Sequence, residues 1–394
     1  MELNIYFEYI FYFYLCKNNY LYEDLAQSTI YWKIIKNKIV VNFFIIIEME
    51  HKNKLIIGYI GNGKSTNRYH LPFVLTLKDK IEVKMIYQRN LKNNIWPKIP
   101  NIIYTDNLDT LLKDPDIKVI FVCVSTEGHY SLAKKVLEAG KNCVVEKPFS
   151  TNLENAKELF KIAKEKGIMV QCYQNRRFDS DFLTTQKVIE SGKLGDIYEV
   201  NMHYDYYRPN VPENEKEYNI NNAFIYTHAC HTIDQVLSYF GKPLKVYSDV
   251  RQLLGKGRMN DYFDFDFYYN NLKVSVKSSY FRTKQRPSFE VYGTKGTWIK
   301  KEQDRQEADL KKFYLPEGHD DFGIDLPEHY GTIIYYDNSG IYHEEKVPSE
   351  RGNYGKYYEA LYETLINGAP QLVTEEQTIE QMSIIAEAEK KLNK

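Results

Sequence analysis

The sequence predicts an α/β protein: a doubly wound parallel-sheet domain first, then an α+β domain with an open, mainly antiparallel sheet. Three observations lead there. From Lys54 to about Gln174, continuous apolar runs alternate with helix-length segments, the pattern of a parallel sheet covered on both faces. Beyond Gln174 the runs alternate apolar and polar residues instead, as strands with one wet face do. The first apolar run ends in glycines at Gly61 and Gly63, which mark a sharp strand-to-helix turn.

KLIIGYI (Lys54–Ile60) reads as a buried strand, and Asn67–Leu77 as a helix with Pro72 kinking it or seated in its first turn. EVKMIY (Glu82–Tyr87) is the next strand, Leu91–Ile103 mostly loop, and Leu108–Leu112 a short helix ended by the turn at Asp114–Asp116. KVIFVCV (Lys118–Val124) is a strand, Tyr130–Ala139 a helix stopped by Gly140, and NCVVEKP (Asn142–Pro148) a strand running into a turn. Thr151 and Glu154 have capping-box spacing ahead of a helix that Gly167 ends, and IMVQCYQ (Ile168–Gln174) is a further strand.

The second part opens with a helix over Asp181–Glu190, an antiparallel strand over Glu199–Tyr207 and a helix over Thr227–Phe240. Strands follow at Lys245–Val250, Tyr262–Tyr269, Lys273–Tyr280 and Ser288–Gly293. Tyr269-Asn270-Asn271-Leu272 reads as a tight hairpin turn, because Asn tolerates positive φ. Asp304–Leu326 is polar and irregular, and helices over about Gly355–Ile366 and Glu375–Lys391 finish the chain. The expected boundaries are an extension outside the fold at 1–48, a dinucleotide-binding domain at 49–174, and a substrate and oligomerisation domain at 175–394. Met49 reads as the natural start. The apolar runs Ile5–Leu15 and Val40–Ile47 are too short to span a bilayer, which takes about 20 apolar residues. A peripheral hairpin at the membrane surface is the alternative for that extension.

Net charge is −1 over 394 residues, with lysines scattered along the chain. That balance points away from nucleic acid or a membrane surface as partner, and towards a small molecule. The five cysteines show no close pairing of the zinc or redox kind, so no metal site is expected and the thiols fit a reducing, cytoplasmic setting.

The chemistry-bearing residues fall in three places. Gly61-Asn62-Gly63-Lys64-Ser65-Thr66 follows the first strand, where glycines let the backbone approach a pyrophosphate and the next helix offers its N-terminus. Thr66 stands where such loops carry a third glycine. The second strand ends in Tyr87-Gln88-Arg89, with no acid for a ribose hydroxyl pair. Arg89 suits a 2′-phosphate, which tips the NAD(P)(H) expectation towards NADP(H). The second place is Glu146-Lys147-Pro148, at the end of a parallel strand. Hydride exchange at a carbonyl carbon needs a proton partner on the oxygen, which a half-buried lysine can supply. Pro148 fixes that turn, with a cis bond one option. The third place is the helix face of His228, His231 and Asp234, spaced three apart. Each motif has a plainer alternative: a simple βα turn, a loop lysine, a structural histidine.

Together these residues resemble the Gfo/Idh/MocA oxidoreductases. The resemblance rests on Gly61-Asn62-Gly63 with Tyr69-His70-Leu71-Pro72, Cys123-Val124-Ser125-Thr126 with His129, Glu146-Lys147-Pro148, Tyr173-Gln174-Asn175-Arg176-Arg177-Phe178-Asp179, and Asn367-Gly368-Ala369-Pro370 with Val373-Thr374. It covers the chain from about Lys54 onward. It implies a Rossmann domain joined to an open-sheet domain, with cofactor and a sugar, inositol or related polyol in the cleft between. It implies Lys147 and His231 as catalytic, Ser125, Thr126, His129 and Glu146 beside the cofactor, and Asn175 and Arg176 on substrate hydroxyls. Tyr204 and Tyr206 would line the cleft, with His228 and Asp234 near substrate. Many members carry an aspartate four residues before the histidine; Thr227 stands here. The family often associates through its flat sheet face, so a homo-oligomer, dimer or tetramer, is expected, with the aromatic strand Tyr262–Tyr269 as that face. A biliverdin-reductase-like enzyme and a non-catalytic nicotinamide-binding regulator are the alternatives.

Overall fold

The computed structural model describes residues 54–93 and 95–392. The expected extension over 1–48, with its two apolar runs, lies outside them.

Six parallel strands form the first sheet: β1 (Leu55–Ile60), β2 (Ile81–Tyr87), β3 (Ile103–Thr105), β4 (Val119–Val122), β5 (Asn142–Val145) and β6 (Val170–Cys172). Their order is β3-β2-β1-β4-β5-β6. β4 reads Val-Ile-Phe-Val with all four side chains buried, which only a strand covered on both faces can be. The covering elements are a helix of π turns over Thr66–His70 running into α1 (Leu71–Val74), then α2 (Leu108–Leu112), α3 (His129–Glu138) and α4 (Leu153–Lys166). Pro72 sits in the first turn of α1, where its missing N–H costs nothing. α4 is capped by Asn152, whose side chain accepts from Asn155 N at 3.0 Å, and not by Thr151 as the spacing suggested. Gly167, at φ 64°, closes it. β3 lies at the end of the stretch expected as loop. Chain order reverses between β1 and β4, and ligands of such sheets sit outside the strand ends there.

The second sheet has the order β14-β13-β12-β11-β7-β10-β9-β8. Its strands are β7 (Ile197–His203), β8 (Lys245–Arg251), β9 (Tyr262–Tyr268), β10 (Lys273–Ser279), β11 (Phe289–Gly293), β12 (Gly296–Lys300), β13 (Gly331–Tyr336) and β14 (Tyr342–Val347). Neighbours are antiparallel except β7 and β10, which run parallel. The expectation of an antiparallel β7 therefore holds on its β11 side alone. On β9, Phe263, Phe265 and Phe267 are fully buried, while Asp264 and Asp266 face outward and pair with Lys277 and Lys273, each at 2.9 Å. The hairpin after β9 closes with Tyr269 N donating to Leu272 O at 2.8 Å. Neither Asn270 nor Asn271 takes a positive φ, so the turn works without the freedom the sequence reading invoked.

α5 (Ser180–Glu190), α6 (Asn210–Asn214), α7 (Cys230–Phe240) and α8 (Gln306–Lys311) belong to this half. α8 lies within the stretch expected to be irregular. The last two helices, α9 (Gly355–Asn367) and α10 (Glu375–Glu389), turn back. Tyr354, Tyr357, Tyr358, Leu361 and Met382 join the same buried cluster as β1 to β6. Ile384, Ile385 and Ala388 of α10 join the cluster under the second sheet. Cys123, Cys143, Cys172 and Cys230 are free and buried. Among the described residues no helix is long and apolar enough to cross a membrane.

Candidate active site

The turn after β1 is built by two glycines in different ways. Gly61 has φ 110°, and a Cβ there would lie 2.1 Å from the carbonyl oxygen of Cys123 at the end of β4. A Cβ on Gly63 would meet nothing within 4 Å. The first glycine thus lets β1 and β4 abut at the switch point, and the second leaves room for a ligand's backbone-sized approach. Thr66, in the third glycine's place, is fully buried and donates its hydroxyl to Gly61 O at 2.7 Å, so the larger side chain closes the turn from inside. No side chain caps the following helix among the described residues, leaving its first N–H groups for an anion. This bend fits a dinucleotide pyrophosphate. Asn62 accepts from Asn67 at 2.9 Å and donates to Gln88 at 2.8 Å, which ties the loop to the end of β2. Lys64 and Arg89 are exposed beside it.

The turn after β5 carries Glu146, Lys147 and Pro148, and the Lys147–Pro148 bond is cis. Glu146 is buried, and its oxygens are committed to the protein. One meets His70 Nε2 at 3.0 Å and the Ser65 hydroxyl; the other accepts from Lys147 N at 2.9 Å. Burial alone would push this carboxyl up, but His70, Lys147 and Ser65 outweigh it and hold it at about 2. His70 continues the chain inward to Tyr358 OH at 2.6 Å, and Tyr358 OH meets Tyr59 OH at 2.9 Å. The Ser65 and Glu146 side chains, expected at the cofactor, therefore brace the loop and the lysine turn against each other. His129 does similar work: its Nδ1 lies 2.8 Å from Pro148 O and its Nε2 3.2 Å from Val124 O, with the ring 1 % exposed. Ser125 is exposed and Thr126 half-buried at the end of β4.

Lys147 is half-buried and reaches across to α7. Its Nζ donates to Thr227 O at 3.3 Å. Thr227 belongs to a π turn, Ile225–Ala229, that leads into α7, a geometry common at functional sites. The position that carries an aspartate in many family members thus offers its backbone carbonyl to the lysine. His231, one turn on, is buried, and its Nδ1 has no hydrogen-bond partner among the described residues. Burial, with the charges of Lys147 and Arg176, keeps its imidazole well below the ordinary histidine value, hence neutral. A buried polar atom without a partner calls for one in the loaded site. His228 lies on the same wall, edge-on to Tyr206 at 5.3 Å. Burial, then Lys147, likewise depresses its imidazole.

Asp234 is directed elsewhere. Both of its oxygens bind Arg177, at 2.8 and 2.7 Å. Arg176 donates to Asp179 at 3.1 Å and to Glu307 of α8, and lies 4.8 Å over the Tyr204 ring. Asn175 is buried and makes no side-chain hydrogen bond among the described residues, so its amide is available to a ligand. The sequence reading missed Glu307 and quoted Tyr69 only as part of a family motif, with no role at the site. Burial works against the Glu307 charge, yet Arg176 and Lys311 hold its carboxyl well below the usual range. The Tyr69 phenol is raised by burial and by Glu307, and Arg176 acts on it in the opposite sense. Among the described residues no three His, Cys, Asp or Glu side chains could hold a metal.

A parallel sheet of this strand order, with a glycine turn at its switch point and a lysine facing a histidine helix, defines a nicotinamide-dinucleotide-binding oxidoreductase. Comparison with known proteins agrees. Residues 53–174 match the oxidoreductase family's NAD-binding Rossmann fold, and residues 186–393 match its C-terminal alpha/beta domain. The chain belongs to the Gfo/Idh/MocA oxidoreductase family. It is 44 % identical over 329 residues to the uncharacterized oxidoreductase YhhX of Escherichia coli K12, covering 83 % of this chain and 94 % of that protein. It is 31 % identical over 334 residues to the scyllo-inositol 2-dehydrogenase (NADP(+)) IolW of Bacillus subtilis, covering 84 % and 92 %. A Bacillus cereus oxidoreductase of known structure superposes with TM-score 0.79 at 40 % identity, over 85 % of this chain and 95 % of that one.

Proposed function

We propose that this protein transfers a hydride between nicotinamide and a carbon of a sugar, inositol or related polyol, interconverting alcohol and ketone, with Lys147 managing the proton on the oxygen. One observation carries the proposal: the Lys147 ammonium stands half-buried between the end of β5 and the turn into α7, held by a carbonyl at 3.3 Å and not by a carboxylate. A carbonyl orients the group without neutralising it, so the proton remains free to serve a substrate oxygen. A bound nicotinamide supplies the two-electron chemistry at carbon. On reduction, the Lys147 ammonium gives a proton to the substrate oxygen as hydride reaches the carbon, leaving a neutral amine; on oxidation, that neutral amine takes the hydroxyl proton as hydride leaves the carbon. Neutral His231 completes the polar wall, its open nitrogen meeting a neighbouring hydroxyl. Asn175 and Arg176 with Tyr204 orient the rest of a polyhydroxylated ring. The inositol dehydrogenase relative supports this substrate class.

NADP(H) is the proposed cofactor, because Gln88 and exposed Arg89 replace the acid at the end of β2. The outer face of the second sheet, with Tyr198 and Tyr247 each half exposed, is the proposed contact of a homo-oligomer, and the cytoplasm the proposed location. Lys147→Ala tests the chemistry. Turnover should fall by roughly 10²–10⁴-fold, while cofactor binding, followed by quenching of protein fluorescence, persists. Unchanged turnover removes the lysine from the reaction.

A further inference from the structure

Among the described residues, two arginines at one strand end of the crevice, Arg208 and Arg282, pair with no carboxylate. Tyr207 and Phe281 form an isolated antiparallel bridge. Around it Arg208 N donates to Tyr280 O and Arg282 N to Tyr206 O, each at 2.9 Å, so the bridge sets both arginines beside the buried pair Tyr206 and Tyr280. The Arg208 guanidinium lies 4.4 Å over the Tyr206 ring, and that ring touches His228 edge-on at 5.3 Å. Arg208, itself exposed, therefore overlooks the histidine wall from the solvent side. A guanidinium stacked in this way is held in orientation while its donor edge stays open.

The charge balance of the crevice is uneven. Arg176 is matched by Asp179 and Glu307, Arg177 by Asp234, and Arg286 by Asp205. Among the described residues, neither Arg208 nor Arg282 has an ion pair or a side-chain hydrogen bond. Burial and the charges of Lys147, Arg176 and Arg208 depress the His228 imidazole, Glu307 acts in the opposite sense, and Lys311 shares that carboxylate with Arg176. A partly desolvated cleft with surplus positive charge concentrates anions.

We infer that the natural substrate is a sugar or polyol bearing an anionic group, carboxylate or phosphate, which Arg208 binds at the mouth of the crevice while Lys147 meets the reacting hydroxyl. This deepens the dehydrogenase reading and rests on it for the second contact. Arg282, at the same strand end, adds to the attractive field.

The test is binding, read by calorimetry on the full chain with NADP(+) present. D-Glucuronate and D-gluconate form one arm and D-glucose 6-phosphate the other, against D-glucose and D-glucitol. At least one anionic arm should bind about tenfold or more tightly than its neutral counterpart, as a charge-assisted bidentate contact implies. Arg208→Gln should erase that preference and leave the neutral ligands little changed, and Arg208→Lys should restore part of it. Thermal melts of both variants check that they fold. The arm that responds identifies carboxylate or phosphate. Absence of anion binding, equal binding of anionic and neutral forms, or a preference that survives Arg208→Gln overturns the inference. Anion preference without any oxidation would remove the dehydrogenase reading and keep the anion site; oxidation of neutral polyols without anion preference would do the reverse.

Discussion

Arg89 stands exposed one residue beyond Gln88, whose amide group is fixed to the glycine loop through Asn62. Under the proposed NADP(H) reading, Arg89 is the side chain that would meet the 2′-phosphate. Arg89→Ala should weaken NADP(H) about tenfold or more relative to NAD(H), the scale of one lost charge-assisted contact; an unchanged ratio of the two dissociation constants would assign the preference elsewhere. Glu146 gives a pH signature. Its carboxyl is held at about 2 in the folded chain, below its unfolded value near 4.3. Its stabilisation is therefore complete above the unfolded value and is lost as pH falls through the folded one. The pH-dependent part of the stability gap between wild type and Glu146→Gln should be on the order of 3 kcal/mol and close between about pH 4.5 and pH 2, in urea melts at stepped pH. A gap that stays constant over that window would mean Glu146 is not held ionised. Lys147 was legible in the sequence because strand, turn and proline are contiguous. Glu307 was not: its partner Arg176 lies 131 positions away, and nothing local in α8 announces it.

At the scale of elements, the glycine turn separates two roles that a motif merges. Gly61→Ala places a methyl against the Cys123 carbonyl at a left-handed φ, and should destabilise the fold by about 2 kcal/mol or more. Gly63→Ala projects into open space, so melting should hardly move while cofactor affinity drops roughly tenfold or more, if the pyrophosphate approaches there. Equal effects of the two substitutions on melting and on binding would refute that division. The parallel strands were readable because burial on both faces makes them uninterrupted apolar runs. β12 to β14 were not. β14 reads Tyr-His-Glu-Glu-Lys-Val and is largely exposed at the sheet edge, so no apolar face marks it. β13 begins at Gly331, where a Cβ would fall 2.1 Å from the Trp298 ring; that glycine reads as a breaker in sequence and is a packing requirement in space. The π turn at Thr227 was equally hidden, since its sequence continues smoothly into helix.

At the scale of the whole molecule, sequence order and packing order disagree. A boundary near residue 174 describes where the pattern of strands changes, yet α9 and α10 return to fill the first core. Tyr358 lies 299 positions from Tyr59 and meets it at 2.9 Å. Tyr357 donates to Cys172 O at 2.9 Å, and Gln381 of α10 reaches Cys230 O. A chain cut at Asn353 loses Tyr354, Tyr357, Tyr358 and Leu361 from that core. It should show amide exchange across β1, β4 and β5 faster by orders of magnitude than the full chain, because global opening sets protection there; intact protection would show that the first sheet is self-sufficient. The consequence reaches to synthesis. A ribosome that has delivered every residue of the parallel sheet has not yet delivered the tyrosines that seal it, so the nascent first half should stay unlocked, in reach of chaperones, until the final helices leave the exit tunnel.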